Sequence, residues 1–372
     1  MKLLVISTAP FIRKEKEYYA YSPYVKELEL WAKYSDEIEM VCPVWQSDRN
    51  LLNSPINFPI TKLHPIKEFD ITTFKNAFLA IFKILHSIFV IGRAMYGADH
   101  IHLRCPGNVG LLGCCVQILF PSKKKTAKYA GNWDLDSPQP ISYKIQRWLL
   151  RNTLLTKNMQ VLVYGKWKDD TENIKPFFTA SYYEKDKIEV HRKDFSAVIS
   201  IVFVGTLSNG KQPLYAIQLV HDLWVKGYNV QLTLYGEGYE RAMLEDYVVK
   251  YSLQNIIFFK GNQNQAVVKK AYIESHFVIL PSLSEGWPKV VAEGMFWKCL
   301  PIATAVSCVP TMLDNGARGI VLELNRGIDV AKIQELLDNE ALYHSKVSKA
   351  QEWSRYYTLD LFEEEIKTLV KS

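Results

Sequence analysis

What the sequence lacks narrows it first. Its six cysteines, Cys42, Cys105, Cys114, Cys115, Cys299 and Cys308, form no C-x-x-C pair, and most lie in apolar segments. They read as reduced core thiols of a cytoplasmic protein, not as a zinc site or a secreted disulfide scaffold. His100 and His102, on one predicted strand, are expected to face opposite ways, and no metal is expected. No internal repeat or low-complexity run is present. No run is both long enough and free enough of charge to span a bilayer, because the nearest candidate, Phe74–Met95, contains Lys75, Lys83, His86 and Arg93. The apolar start is too short for a signal peptide and runs into charges at Arg13–Glu17, so it is read as a first buried strand.

What is present fits two α/β domains. The chain has 372 residues, 48% of them hydrophobic, enough to bury a sizeable core in each half. The net charge is +6, with basic clusters at Arg13–Lys16 and Lys123–Lys125 that favour an anionic surface. No nucleic-acid-binding motif accompanies them. The segment 74–95 has few acids and several aromatics, a pattern that fits either a helix packed on a sheet or one lying in a membrane interface.

Hydrophobic periodicity predicts strands at 2–7, 37–42, 100–103, 125–130 and 160–164, with helices over 23–34, 74–95, 108–119 and 142–152. From Asp169 to Ser196 the chain is polar and aromatic without a sustained period, and the interdomain link is placed there. The second half restarts with strands at 200–205, 231–235, 256–260, 277–280, 301–303 and 319–322. Helices are predicted over 215–226, 241–251, 265–274, 329–339 and 360–371. Alternation of this kind implies parallel sheets covered on both faces.

The most informative feature is a pair of acids, Glu285 and Glu293, eight positions apart in Pro281-Ser-Leu-Ser-Glu-Gly-Trp-Pro-Lys-Val-Val-Ala-Glu-Gly-Met295. Glu285 falls in a loop after a strand, and Glu293 on the helix that Pro288 opens. A helix N-terminus favours a diphosphate, leaving one acid for sugar hydroxyls and one for a ribose. Two acids on a helix and its loop are no site by themselves, since solvated acids are common there. Gly236-Glu-Gly238 also follows a strand, but Arg241 stands where a dinucleotide fingerprint needs its third glycine, so NAD is not expected.

The residues Pro281, Ser282, Glu285, Gly286, Trp287, Glu293, Gly294, Met295 and Pro301 together resemble the signature of the retaining, GT-B-fold glycosyltransferases of family 4. The upstream Val202-Phe-Val-Gly-Thr-Leu-Ser-Asn-Gly-Lys211 resembles a second family segment. The resemblance implies an α/β fold of two Rossmann-like doubly wound domains facing a cleft. The expected domains are 1–190 on the acceptor side, with 351–372 packing back on it, and 196–350 for the nucleotide sugar.

The resemblance also implies roles. Glu285 and Lys211 are expected to be catalytic, with Glu293, Gly205, Thr206, Gly286, Trp287, Lys289, Val290 and Gly236 around the donor. Thr206 stands where the family usually has an arginine, and Lys289 or Arg318 is the expected substitute for the missing cation. Asp134, Asn132 and Arg104 are acceptor-side candidates, following strands at the edge where open sheets bind ligands. The glycine-rich loop that relatives carry after the first strand is missing. A UDP- or GDP-sugar donor, no cofactor or metal, and a glycan or lipid-linked acceptor in bacterial surface polysaccharide assembly are expected. So is a cytoplasmic site at the inner face of the membrane. The alternatives are a catalytically weak nucleotide-sugar-binding partner protein and a sugar-nucleotide epimerase.

Overall fold

The computed structural model describes residues 1–15, 17–49, 52–68, 74–168 and 170–371, with the backbone alone at 74–79. Asp169 and Lys16, which fall in segments read above, lie outside the described residues. The chain divides into two units, Met1–Phe177 with Glu363–Ser372, and Phe178–Phe362.

In unit 1 the strands are β1 (Lys2–Ile6), β2 (Phe11–Lys14), β3 (Glu17–Tyr21), β4 (Glu37–Trp45), β5 (Asn53–Pro55), β6 (Lys62–Ile66), β7 (His100–Cys105), β8 (Lys124–Tyr129), β9 (Met159–Tyr164) and β10 (Ile174–Phe177). The helices are α1 (Ser22–Ala32), α2 (Phe74–Gly97), α3 (Asn108–Val116) and α4 (Ile141–Arg151). The strands form a ten-stranded sheet in the order β10-β9-β8-β7-β1-β4-β2-β3-β5, with β6 also on β4. Its centre is parallel, and β3 pairs antiparallel with β2 and β5. Strands β1 and β9 are buried on both faces and read as apolar runs, whereas the central β7 and β8 bury His100, His102, Lys125 and Lys128.

Several elements of this sheet escape the sequence reading. The β2–β3 hairpin occupies the charged and aromatic stretch after the first strand, and β10 sits inside the segment read as linker. Pro176 on β10 is tolerated because β10 is an edge strand, where a missing N–H costs no ladder bond.

His100 and His102 correct the expectation that they face opposite ways. Residues two apart on a strand share a face, and His100 Nε2 and His102 Nδ1 both meet Thr126 Oγ1 at 2.9 Å. Burial pushes His100 down to about 4 and His102 well below the usual histidine range, so both are neutral core side chains at pH 7.

Unit 2 contains β11 (Ile199–Val204), β12 (Val230–Tyr235), β13 (Ile257–Gly261), β14 (Phe277–Leu280), β15 (Leu300–Thr304) and β16 (Ile320–Leu322). Its helices are α5 (Pro213–Val225), α6 (Arg241–Lys250), α7 (Gln265–Glu274), α8 (Lys289–Phe296), α9 (Val309–Met312), α10 (Arg326–Leu337) and α11 (Glu340–Tyr356). The six strands run β13-β12-β11-β14-β15-β16, every pair parallel. This is the doubly wound order, reversing direction between β11 and β14.

Helix α11 was not anticipated, and it packs on α8. The tail assigned from Gln351 to the first domain is therefore divided. Residues 351–362 belong to unit 2, and α12 (Leu359–Lys371) enters unit 1 only at Glu363. Within unit 1 its Glu363 meets Lys33 at 2.7 Å and its Glu365 meets Lys175 at 2.5 Å.

Within unit 2, a buried cation helps to fasten the irregular stretch before β11. Lys193 Nζ donates to the carbonyls of Tyr272, Ser275 and Lys298 at 3.2, 2.5 and 3.0 Å. Burial pushes this ammonium down to about 8, and no carboxylate is among those three acceptors.

Candidate functional site

Ligands of doubly wound sheets bind outside the carboxyl ends of the strands where the order reverses. In unit 2 that point lies between the loops after β11 and β14, and these loops carry Lys211 and Glu285. Leu283 N–H donates to the Gly210 carbonyl at 2.9 Å and holds the loops together. Lys211 Nζ forms an ion pair with Glu285 Oε1, the lysine side chain 30% exposed and the carboxylate 9%. Residues 74 positions apart in the sequence thus share one site.

The loop after β12 braces the loop after β11. Gly205 N–H donates to Tyr235 O and Leu207 N–H to Glu237 O, at 2.9 and 3.0 Å. Gly236 has φ +146° and backs onto Gly205, whose carbonyl oxygen would lie 1.9 Å from a Cβ at position 236. Only glycine satisfies both the conformation and the approach. Gly236→Ala is therefore expected to lower unfolding stability by ~2 kcal/mol or more, read from chemical denaturation.

The loop after β14 is held from the other side. The Gly286 carbonyl accepts from Ser307 Oγ at 2.9 Å and from Cys308 Sγ at 3.3 Å, while Thr304 Oγ1 donates to Ser282 O at 2.5 Å. Burial pushes the Cys308 thiol up to about 12, so it stays a neutral donor. Pro288 caps α8, and Val290 lies in its first turn, where helix N–H groups lack intrahelical acceptors.

Gly294 lets α8 sit directly on β14, because a Cβ there would meet Val278 Cγ1 at 2.4 Å. That seating fixes Glu293. Its Oε1 accepts from Ser181 Oγ at 2.5 Å and its Oε2 from Tyr272 OH at 3.3 Å. The two acids of the motif therefore have separate partners, Glu285 a cation and Glu293 two hydroxyls. Ser181 and Tyr272 escaped the sequence reading, since hydroxyls 112 and 21 positions away leave no local pattern.

The remaining donor-side residues divide. Thr206 is exposed, and its carbonyl accepts from Ser208 N–H. Trp287 stacks on Trp353 at 6.1 Å and meets Tyr357 edge-on at 5.7 Å, which ties it to α11. Lys289 shares a narrow hollow with Ser181, Trp287 and Glu293. Arg318, expected as a substitute cation, is engaged elsewhere. It donates to the carbonyls of Thr311 and Met312 at 3.1 Å and meets Asp314 at 3.5 Å.

In unit 1 the three acceptor-side candidates are bound up internally. Arg104 lies 2.5 Å from Glu27 and over the Tyr24 ring. Asn132 Oδ1 accepts from Asp134 N–H, and Asp134 Oδ1 from Asp136 N–H, both at 3.0 Å, so each side chain stabilises its own turn. The order of this sheet reverses between β7 and β1, and there Gly107 meets Thr8, whose Oγ1 would lie 2.3 Å from an added Cβ. Among the described residues no group of three or more His, Cys, Asp or Glu is placed to hold a metal.

Residues 186–353 match the family described as glycosyl transferases group 1. An uncharacterized glycosyltransferase of Methanocaldococcus jannaschii is 26% identical over 222 residues, 56% of this chain and 62% of that relative. The alpha-D-kanosaminyltransferase of Streptomyces kanamyceticus is 25% identical over 38% of this chain and 37% of its own. The chain thus spans less than two thirds of the curated relatives it matches. Among solved structures, Anabaena HepE in complex with UDP and glucose superposes with a TM-score of 0.68 at 14% identity, covering 100% of both chains. A glycosyltransferase from Rickettsia africae gives 0.68 at 15%, covering 100% of this chain and 99% of the other.

Proposed function

We propose, for a chain that has the GT-B fold and whose residues 186–353 belong to the group 1 glycosyltransferases, that it moves a hexose from a nucleoside diphosphate sugar to an acceptor hydroxyl with retention. One observation carries the reading. The Lys211–Glu285 pair stands where a doubly wound sheet reverses its order, and there a cation beside a buried acid suits a diphosphate joined to a sugar. Lys211 offsets the diphosphate charge, Glu285 orients the sugar, and Glu293 holds the ribose. Gly205, Thr206, Gly236, Gly286, Trp287, Lys289 and Val290 shape the donor pocket around them.

In the proposed reaction the bond between the anomeric carbon and the diphosphate oxygen breaks, and a bond to the acceptor oxygen forms. The acceptor proton passes to the departing phosphate oxygen, so neither glutamate acts as a general acid. Stabilising the leaving group is the main task. The acceptor is a glycan or lipid-linked hydroxyl at the inner face of a membrane, in assembly of a bacterial surface polysaccharide. Asn132, Asp134 and Arg104 shape its side through the turns and the ion pair they hold.

Thermal denaturation with UDP, GDP and ADP tests the donor half. One diphosphate nucleotide raises the melting temperature, since a ligand at a hundred times its Kd adds about 2.7 kcal/mol. Glu293→Ala lowers that nucleotide's affinity in calorimetry. No shift with any of the three sinks the reading. A second reading, a weak or inactive nucleotide-sugar-binding partner protein, is favoured by Thr206 and by the engagement of Arg318 elsewhere. Nucleotide binding without transfer or donor hydrolysis, across a panel of sugars, would select it.

A further inference from the structure

A surface helix of a soluble protein normally turns polar residues outward. Two helices of unit 1 do not. Helix α2 buries Ala80, Ile91, Ala94 and Met95 against the sheet, yet its opposite side presents Phe82, Leu85, Phe89 and Tyr96, exposed by 74, 58, 67 and 79%. At 100° per residue these four form one stripe pointing away from the core. Helix α4 repeats the arrangement, with Leu149 and Leu150 inward and Ile141, Ile145 and Trp148 outward at 77, 43 and 61%. Helix α3 touches both, so the two stripes belong to one layer.

The charge on this layer has one sign. None of α2, α3 and α4 contains an aspartate or glutamate, while Lys83, Arg93, Lys144 and Arg151 stand on α2 and α4. An apolar face ringed by cations matches lipid tails beneath anionic headgroups, with the long basic side chains reaching up to the phosphates. Aromatic rings such as Trp148 and Tyr96 suit the boundary between them.

By length and composition Ala80–Gly97 could cross a membrane, which the sequence reading had not anticipated. Its inward residues are already part of the core of unit 1, so crossing would strip Ile91 and Met95 from that core. We infer that the outward stripes of α2 and α4 dock unit 1 on an anionic lipid leaflet, lying in the plane of the interface rather than through it. This rests on the transferase reading only in that a membrane-borne acceptor gives the docking its use.

The test uses the full chain and vesicles of phosphatidylcholine, alone or with about one third phosphatidylglycerol. Co-sedimentation is expected to give a partition coefficient ~10-fold higher on the anionic vesicles, falling as salt is raised. Phe89→Glu and Trp148→Glu, both at outward positions, are each expected to reduce it ~10-fold while keeping the nucleotide-induced rise in melting temperature. Equal binding to both vesicle types, or unchanged binding by both variants, overturns the inference. So does a concentration-dependent dimer abolished by the same substitutions, which would assign the face to a second copy of this chain. Failed vesicle binding with intact nucleotide binding defeats this inference alone, and the reverse result defeats the donor reading alone.

Discussion

Lys211→Ala is expected to lower transfer by about two orders of magnitude or more, with a smaller loss of donor affinity, measured as kcat with the donor that stabilises the protein. An ammonium aimed at a leaving diphosphate acts on charge that grows as the glycosidic bond breaks, so most of its effect falls on the transition state. About 3 kcal/mol there corresponds to a rate factor of ~150. The reason to expect a large loss is that position 206 supplies no second cation to take over. Thr206 brings a hydroxyl but no charge, and Arg318 is held by two carbonyls and Asp314. Glu285→Ala should cost a comparable factor, because it removes the proposed sugar contact and the carboxylate that pairs with Lys211. Near-normal turnover by either variant would refute the assignment.

Glu27→Gln is expected to cost unit 1 about 3–5 kcal/mol, because it strands two cations at a buried site. Glu27 on α1 lies 2.5 Å from Arg104 on β7 and 3.0 Å from Lys128 on β8, and Lys128 is 1% exposed. Burial alone would raise the Glu27 carboxyl, but Arg104 and then Lys128 outweigh it and hold it well below the usual carboxylate range. A depressed acid stabilises the fold fully above its unfolded value, about 4.3, and loses that contribution as pH falls toward the folded value. Urea denaturation at pH 7 and pH 3 checks both points. The Gln variant should lie far below the parent at pH 7, and the gap should narrow on acidification. A parent and variant equally stable at pH 7 would show that the network relaxes around the loss.

The parts legible in the sequence were those written in periodicity and in close-packed glycines. The buried strands β1, β4, β7, β8, β9 and β11 to β16 were readable chiefly because parallel strands covered on both faces leave short apolar runs, β8 with its buried lysines being an exception. The hairpin after β1 and the end strand β10 were not. The β2–β3 hairpin and β10 meet solvent on one side, so their residues are charged, aromatic or proline and look like loop. Helix α11 was missed because its small amphipathic face, Tyr343, Val347, Ala350 and Ser354, is spread thinly over 17 residues.

Within the candidate site, the positions of Lys211 and Glu285 follow from strand ends, but their pairing depends on which strands are neighbours. Only the order β13-β12-β11-β14 makes them so. The histidine reading failed for a plainer reason, a misapplied strand period, and Thr126 between the two rings shows it. The engagement of Arg104 was invisible for the opposite reason. Nothing near it in the sequence announces a carboxylate 77 residues earlier.

The Lys211–Glu285 pair also bears on how the reaction cycle ends. An ammonium left bare would hold a spent diphosphate tightly, and product departure would then limit turnover. On the proposed reading, Glu285 would take the cation back, so each release would be an exchange of anions at Lys211 rather than the creation of an unpaired charge. The carboxylate would then compete with the product, and a site that binds its donor somewhat less tightly would empty faster.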